Sequence, residues 1–562
     1  GCSWISRVCL QMIQAAPPSS PLLRRSAETT SNRASTSCTI ALIAILTAAA
    51  ACAILSSQPP PELTAKDPAF NVVDRRGRAV IISDAHVLQR YNASYGRSCR
   101  CSGRCGPNKT GTASWQACPD SCLLPEPGSP FGQYGCDGPP ALVNMAFREA
   151  RRLVASPDFV LYLGCMSGHD MPNLAMAMSN LRLVRDQLHA LYEGSVISCP
   201  VIGNNDVFED YEVGLEQNEP LRTQASLFRQ ICDLDAAQEA SLAAGGFYAQ
   251  QLVPASASRP GLRLVAINTN LYSTVGPRMP WNTPWSPFTH PDPRGQFAWL
   301  EQQLAAVAAA GERAYIAGHL PPTIDSFRRE PMWNQIYADR FFAIVRRQIG
   351  VIDGLFFSHL HSDEFRLIPG VTAAAAPIIH IISSVTPIYG GNPTVYEMRH
   401  AAAAPAEADR SRGVSFRPVR LTQHAALLGD ASFTKAITTP AAFRAAGISN
   451  GDYAAVVDSL TSGSADGDLV YRAMHEKYHS WNGGAESCSS TADRLQTCAT
   501  CTNGCRIANA CLYRAAAGGR AAWQRCVDTT TLGGAACSDD RHCGEGFGCM
   551  CTVRRCSCEL EQ

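Results

Sequence analysis

Two His-containing residue pairs in this sequence each follow a short apolar run, and their side chains are of the types that bind divalent metal ions. Asp84 and His86 come directly after RAVIIS, and His359 and His361 follow GLFF with one serine between. One residue separates the members of each pair, so on an extended strand end both side chains point the same way. The two side chains of each pair can therefore bind one metal ion.

Two further residues at similar positions complete the pattern. Asn204 and His319 would fill the shell of a second ion, with the Asn204 carbonyl oxygen as a neutral ligand. Two ions that share a ligand can raise the acidity of a water molecule between them, which is what hydrolysis requires. The alternative for any single histidine is an ordinary hydrogen-bonded role at a strand end, but the repetition favours a two-metal site.

The elements that must position these residues are short strands alternating with helices. Five apolar runs end at polar clusters and predict strands: Arg78–Ser83, Phe159–Leu163, Val201–Ile202, Ala314–Ala317 and Gly354–Phe357. Helical periodicity lies between them, at Leu142–Val154, Leu174–Leu191 and Gln296–Ala309. This alternation predicts a layered α/β fold. Ligands of such folds bind beyond the carboxyl ends of the strands.

The order of these polar clusters resembles the calcineurin-like metallophosphoesterase superfamily, whose blocks run Asp-x-His, Gly-Asp, Gly-Asn-His-Asp/Glu, Gly-His and Gly-His-x-His. Within it the sequence is similar to the acid sphingomyelinase-like phosphodiesterases over roughly residues 80–396. The motifs that carry this similarity are FGQYGCDGPP (131–140), DPRGQFAWLEQQL (292–304), AGHLPP (317–322), FFSHLHSDEF (356–365) and SSVTPIYGGNP (383–393). The resemblance implies a β-sandwich flanked by helices, with a cysteine-rich C-terminal region added in this chain.

The resemblance also implies roles for individual residues. Two divalent ions are expected, with zinc as the metal. The first zinc would be bound by Asp84, His86 and His361, and the second by Asn204, His319 and His359. His169 matches a histidine that helps to protonate the leaving group.

Two positions depart from the family pattern. The Gly-Asp block reads Gly164-Cys165, so a cysteine takes the place of the carboxylate that bridges both ions. A thiolate can bind zinc, but a sulfur bridge would be longer and softer. The Gly-Asn-His block reads Asn204-Asn205, so an amide that cannot titrate replaces the main proton-donating histidine. Ser358 for glycine is a milder change. Loss of a general acid lowers the reaction rate about 10²–10⁴-fold.

Two functions therefore stay open. The first is a phosphoric diester hydrolase acting on sphingomyelin-type or nucleotide-type substrates. The second is a catalytically impaired protein of the same fold that serves a binding role, which the replacements at Cys165 and Asn205 motivate.

Composition indicates an oxidising compartment and no nucleic-acid partner. Lys+Arg and Asp+Glu both total 48 in 562 residues, so no global charge favours nucleic acid. The 25 cysteines cluster, with six between Cys99 and Cys136 and twelve between Cys488 and Cys558. Such density favours disulfides in a lumenal or extracellular protein, with a zinc-binding tail as the weaker alternative. Without Cys165, eight cysteines remain from Cys99 to Cys232, an even number that predicts a free Cys165.

The N-terminal region contains an uncharged segment, Cys38–Leu55, that would extend about 27 Å as a helix. It predicts either a membrane anchor or a cleaved signal peptide. The expected organisation is a leader (1–37), this segment (38–55), a linker (56–78), the metallophosphoesterase domain (79–400), its extension (401–487) and a disulfide-stapled tail (488–562). The sequence names no protein partner for the tail.

Overall fold

The computed structural model describes residues 77–96 and 128–462 with short gaps, together with residue 124 and isolated segments between 470 and 560. The gaps within the main range are 170, 172, 208–209, 212–218, 230–231, 233, 258, 275–288, 327–329, 402–414 and 429–431. The predicted leader, the segment Cys38–Leu55, most of the first cysteine cluster and half of the second lie outside the described residues.

The first sheet has five strands and is built around the first apolar run of the described chain. In chain order its strands are β1 (Gly77–Ile82), β2 (Phe159–Tyr162), β9 (Thr394–His400), β10 (Pro418–Leu427) and β11 (Ser432–Thr439). Their order in space is β11-β10-β9-β1-β2, and β1 runs parallel to β2 but antiparallel to β9. All four residues of β2 are buried, as expected for a strand covered on both faces.

The second sheet has six strands and a parallel centre. Its strands are β3 (Tyr248–Val253), β4 (Leu262–Ala266), β5 (Arg313–Ala317), β6 (Ile352–Phe357), β7 (Glu364–Arg366) and β8 (Ile379–Ile381). Their order is β3-β4-β5-β6-β8-β7, with β4, β5, β6 and β8 parallel. Side chains from both sheets belong to one buried apolar core.

Seven helices of the described residues accompany the sheets: α1 (Pro140–Leu153), α2 (Leu174–Tyr192), α3 (Glu219–Phe228), α4 (Ala236–Gly245), α5 (Gln296–Ala309), α6 (Gln335–Arg347) and α7 (Asn450–Thr461). Proline at the first position of α1 sacrifices no helical hydrogen bond. The side chain of Asn173 caps α2 by accepting from the Met176 N–H at 2.9 Å. Helix α1 contacts β9 of the first sheet, and α5 contacts β4 and β5 of the second. The predicted class, layered α/β with flanking helices, is confirmed.

One predicted strand is wrong. Val201 and Ile202 are buried, but they form no strand. The segment instead follows β2 through isolated hydrogen bonds, such as Val201 N–H to the Tyr162 carbonyl at 3.0 Å. Four strand ends and one loop therefore carry the polar clusters.

The described cysteines agree with an oxidising compartment. Cys199 is bonded to Cys232 and Cys511 to Cys526, while Cys165 is a buried free thiol, as predicted. The bond at Cys511 lies in the predicted cysteine-rich region. Among the described helices, none has the length and apolarity to cross a membrane.

Candidate metal centre

The turns after four strands carry the candidate ligands in an unusual backbone conformation. Five of the eight non-glycine residues with positive φ in the described chain are predicted site residues: Asp84 (49°), His86 (38°), Cys165 (52°), His359 (71°) and His361 (55°). Such residues cost of order 1–3 kcal/mol each and concentrate at functional sites. The predicted reason for the pairing of side chains, alternation along an extended strand, is therefore wrong. Left-handed turns beyond the strand ends bring the side chains together.

Asp84 lies at the centre of the site and is fully buried. Its Oδ1 is 3.4 Å from His86 Nε2, 3.5 Å from His361 Nε2 and 3.7 Å from His319 Nε2. Burial raises the pKa of Asp84, but the three histidines outweigh it and hold that pKa well below the ordinary value. The histidines thus favour the ionised form of Asp84.

A second set of donor atoms surrounds His319 Nε2. Cys165 Sγ is 3.0 Å from this nitrogen and Asn204 Oδ1 is 3.1 Å from it. Cys165 Sγ and Asn204 Oδ1 are 3.4 Å apart. Burial, then the carboxylates of Asp206 and Asp84, raise the pKa of the Cys165 thiol well above its usual range. A cation at this position is therefore what would ionise the sulfur.

The tautomer of His319 is fixed by its second nitrogen. Its Nδ1 is 2.8 Å from the Leu163 carbonyl oxygen and 2.9 Å from the Ser358 hydroxyl. A carbonyl can only accept, so Nδ1 carries the proton and Nε2 presents its lone pair to the site. Burial, as the largest influence, lowers the pKa of His319 and favours this neutral form. Gly164 is required beside it, because a Cβ there would lie 2.8 Å from His319 Nδ1 and its φ is 98°.

Asp206 organises the backbone beneath the site. Its buried carboxylate accepts from the N–H groups of Cys165 (2.8 Å), Met166 (2.7 Å), Ser167 (3.3 Å) and Gly203 (2.9 Å). One side chain thereby joins the turn after β2 to the loop that carries Asn204.

Asn205 is buried and positions its neighbour. Its Oδ1 accepts from Asn204 Nδ2 at 2.8 Å, and its Nδ2 donates to Asp210 Oδ1 at 2.7 Å. The first bond orients the Asn204 amide so that its oxygen faces His319. Asn205 thus occupies the place of the family's proton donor but acts as a link between Asn204 and Asp210.

A hydrogen-bonded pair, His169 and Asp137, borders the site on the solvent side. The ring Nδ1 of His169 is 3.0 Å from Asp137 Oδ1, and the backbone N–H of His169 donates to Asp137 Oδ2 at 2.7 Å. The ring of His169 stacks on that of His86, with centroids 4.4 Å apart and planes 3° from parallel. Its Nε2 is 3.3 Å from the hydroxyl of Tyr389, which is 47% exposed. Burial lowers the pKa of His169, but the charge and hydrogen bond of Asp137 raise it above the ordinary value overall.

These donors fit metal ions. Two atoms that bind one ion at about 2.0–2.1 Å in tetrahedral geometry lie roughly 3.3–3.5 Å apart. The distances from Asp84 Oδ1 to the three Nε2 atoms, 3.4–3.7 Å, are close to that value. The buried Nδ1 of His86 has no hydrogen-bond partner among the described residues, and the nearest Asp137 oxygen is 4.0 Å away. A buried carboxylate and imidazole nitrogens at these distances are donors of the kind that a divalent cation binds.

The structure brings candidate ligands together in three groups, each with its donor atoms within 4.8 Å of one another. Asp84, His86 and His361 form the first group, Asp84, Cys165 and His319 the second, and His86, Asp137 and His169 the third. Asp84 is common to the first two groups, and a bridging role for Cys165 stays a prediction. His359 belongs to none of the three: its Nε2 faces the Tyr211 hydroxyl at 3.4 Å, and its ring lies 5.2 Å from that of His319.

Sequence reasoning missed three residues of this centre. Asp137 lies in the motif FGQYGCDGPP and Tyr389 in SSVTPIYGGNP, so the motifs contained the signal without showing which residue faces the site. Asp206 follows Asn205 directly, but its four backbone partners are visible only in the fold.

Fold and donor set together define an α/β protein with a candidate two-metal centre at the carboxyl ends of its strands. No family model matches the chain. Sphingomyelinase phosphodiesterase D of Dictyostelium discoideum is 35% identical over 268 residues, which cover 47% of this chain and 57% of that protein. Acid sphingomyelinase-like phosphodiesterase 3b of Homo sapiens is 28% identical over 278 residues, or 49% and 58% of the two chains.

A third relative, the cyclic GMP-AMP phosphodiesterase SMPDL3A of Mus musculus, is 26% identical over 316 residues, 55% of this chain and 63% of that one. The chain thus spans 57–63% of the length of these three relatives. Their names confirm the predicted resemblance to acid sphingomyelinase-like phosphodiesterases. Among solved structures, a dimetal phosphatase from Danio rerio aligns with 64% of this chain and 98% of its own, at 12% identity and a TM-score of 0.35.

Proposed function

We propose that this chain is a metal-dependent phosphoric diester hydrolase. The observation that supports this most is the pair of donor groups that share Asp84, with His169 and its partner Asp137 at the solvent side. A two-metal centre and a positioned acid are the two components that phosphodiester hydrolysis requires.

Two divalent ions bound there, with zinc as the expected metal, would polarise the phosphoryl group and raise the acidity of a water molecule. The residues of this chain supply the ligands for these ions. Asp84 stays ionised and His319 stays neutral, so both present lone pairs. Buried surroundings exclude bulk water from the ligand side.

His169 is the proposed donor of the proton to the departing alcohol. Asp137 holds its Nδ1, so the transferable proton lies on Nε2, and stacking on His86 fixes the ring beside the ligand group. Asn205 cannot supply that proton, since an amide does not titrate. We expect His169 to carry the role alone.

The proposed substrates are sphingomyelin-type or nucleotide-type phosphodiesters. One relative is named a sphingomyelinase phosphodiesterase, a second an acid sphingomyelinase-like phosphodiesterase and a third a cyclic GMP-AMP phosphodiesterase. A lumenal or extracellular site of action is supported by the buried disulfide Cys199–Cys232. A membrane anchor at Cys38–Leu55 and a role for the tail remain proposals on residues outside the described part.

The alternative, a catalytically impaired binding protein, is not favoured. Its basis was the pair of replacements at Cys165 and Asn205. In the fold, Cys165 takes a donor position beside His319, and Asn205 orients Asn204. Neither replacement removes the donor set, and the relatives are phosphodiesterases by name.

The test is hydrolysis of bis(4-nitrophenyl) phosphate, sphingomyelin and a cyclic dinucleotide by the purified full chain, before and after chelation and with zinc restored. We expect turnover that chelation abolishes and zinc recovers. His361→Ala should remove it, while His189→Ala, on the exposed face of α2, is the matched control that should retain it. Metal-loaded protein that hydrolyses none of the three would overturn the proposal.

A further inference from the structure

Part of the predicted tail packs beside the turns that carry two candidate ligands. Residues 510–514, which we call the tail segment, are helical, and the first four of them are at most 4% exposed. Ala510 and Tyr513 belong to the same buried apolar core as the two sheets. The tail segment therefore packs into the α/β fold.

The first contact of the tail segment is with β7, which begins three residues after His361. The ring of Tyr513 stacks on that of Phe365, with centroids 4.5 Å apart and planes 18° from parallel. The guanidinium carbon of Arg366 lies 5.6 Å from the centre of the Tyr513 ring, a cation–π distance. The Tyr513 carbonyl also accepts from the Leu367 N–H at 3.0 Å. The tail segment thus covers β7 with side chain and backbone.

Beneath Tyr513 lies a buried polar network that reaches the metal centre. The guanidinium of Arg366 is 2.7 Å from Glu364 Oε2. The other oxygen of Glu364, Oε1, accepts from the hydroxyls of Ser362 at 2.6 Å and Ser326 at 2.7 Å. These four residues are at most 4% exposed, and in such surroundings charge-assisted hydrogen bonds are strong. Since Ser362 follows His361 directly, the network holds the turn that carries this ligand.

The second contact of the tail segment is with the chain that follows the other ligand. Leu512 and Ile324 form a small buried apolar cluster, against which Trp523 packs. Ile324 lies five residues after His319 and two before Ser326. The tail segment therefore contacts both stretches that the Glu364 carboxylate joins.

We propose that the tail segment is a positioning element of the metal centre. It covers the buried pair of Glu364 and Arg366, and this pair keeps the turn of His361 in place through Ser362. Without the tail segment, water would reach the guanidinium and compete for its ion pair, and the carboxylate would hold Ser362 less firmly. The proposal rests on the metal-dependent function argued above and extends it to the cysteine-rich region.

A disulfide holds the tail segment. Cys511 lies within it, is fully buried, and is bonded to Cys526. The bond restricts the conformations that this part of the tail has when it is not packed, so it favours the packed state. Metal binding at the centre should therefore depend on an oxidised tail.

Cobalt(II) titration of the metal-free full chain tests the proposal, with bound cobalt measured by elemental analysis and its geometry by visible absorption. Tyr513→Ala should weaken the binding of one of two equivalents about 10–100-fold and change the cobalt spectrum, as outer residues of metal sites do. Tyr513→Phe keeps the ring and should keep both readouts. Arg514→Gln is the matched control in the same segment. Its exposed pair with Asp458 contributes little, so cobalt binding should stay at the wild-type value.

Two further variants reach the same network from other sides. Ser362→Ala cuts the link to the ligand turn and leaves the apolar packing of the tail segment, so it should weaken the same equivalent even if Tyr513→Ala fails to fold. The double variant Cys511→Ser and Cys526→Ser should weaken it as well. Wild-type cobalt affinity and spectrum in folded Tyr513→Ala, or in Ser362→Ala, would overturn the proposal.

These readouts are independent of turnover. A chain whose cobalt binding depends on Tyr513 but which hydrolyses no phosphodiester contradicts the proposed function and leaves the positioning role standing. Hydrolysis by the wild type together with unaltered cobalt binding in Tyr513→Ala has the reverse meaning. A wild-type chain that binds no cobalt overturns both.

Discussion

The two ends of β1 carry charged clusters of opposite character. At its amino end, Asp158 accepts from the Arg78 N–H at 2.9 Å and lies 3.1 Å from His400 Nε2, while Arg78 Nε donates to Glu397 at 3.1 Å. Asp158 is held by a backbone N–H and an imidazole, and Glu397 by the guanidinium of Arg78. The carboxylates of Asp158 and Glu397 thus have hydrogen-bond donors within the cluster.

At the carboxyl end, Asp84 Oδ1 faces the Nε2 atoms of three imidazoles at 3.4–3.7 Å. Asp84 and His86 also have positive φ, whereas the residues of the amino-end cluster do not. Strain and converging acceptors cost free energy in the metal-free chain. The comparison teaches that the amino end stabilises the sheet. The carboxyl end is arranged to bind ions, and their binding would offset the free energy of backbone strain and of converging acceptors.

The largest expected effect comes from removing the carboxylate that supports the carboxyl end. Asp206→Ala leaves four backbone N–H groups without their acceptor, and we expect the free energy of unfolding to fall by about 3–5 kcal/mol. Urea denaturation followed by far-ultraviolet circular dichroism measures this. Asp206→Asn is the graded comparison: its amide oxygen can still accept from two of the four N–H groups while its NH2 group faces the other two, so the loss should be intermediate. A loss below about 1 kcal/mol for the alanine variant would mean that the loops hold their shape without Asp206.

The second effect concerns the proton at the solvent side of the same end. His169→Gln should lower the hydrolysis rate of an alkyl phosphodiester about 10²-fold, with little effect on bis(4-nitrophenyl) phosphate, whose leaving group needs no acid. Metal content should stay at the wild-type value. Equal losses on both substrates would assign His169 to binding rather than to proton transfer.

The pH dependence of the hydrolysis rate tests whether Asp137 sets the protonation of His169. Despite burial, Asp137 raises the pKa of His169 overall, so the protonated acid persists to higher pH. The rate should fall as pH rises through that pKa. Asp137→Asn removes the carboxylate charge, so the alkaline limb of the alkyl-diester profile should move to lower pH. An unchanged limb would separate Asp137 from the proton of His169.

Sequence reasoning was strongest where chemistry is local. Apolar runs ending at Asp84, His319 and His361 are visible in the sequence, because a buried strand and a metal ligand each leave a residue-type signal. It failed where geometry is not local. The convergence of Asp84 and His86 depends on left-handed turns, and the position of Asp137 beside His169 joins residues 32 apart in the chain. That Asp84 lies in two donor groups and Cys165 in one is likewise visible only in the fold.

The smallest expected effect lies at the amino end of β1. Burial raises the pKa of Asp158, but His400 and the Arg78 N–H outweigh it and lower that pKa below its usual 3.8. A carboxyl with a lowered folded-state pKa stabilises the fold above its unfolded-state pKa, and this contribution is lost as pH falls through the folded-state value. Asp158→Asn should therefore cost less than about 1 kcal/mol at pH 7, because the side chain is 36% exposed. The difference from wild type should shrink below pH 4 in urea denaturation at constant ionic strength, with cobalt stoichiometry and hydrolysis unchanged. Loss of metal from this variant would mean that the two ends of β1 are coupled, which would break the comparison.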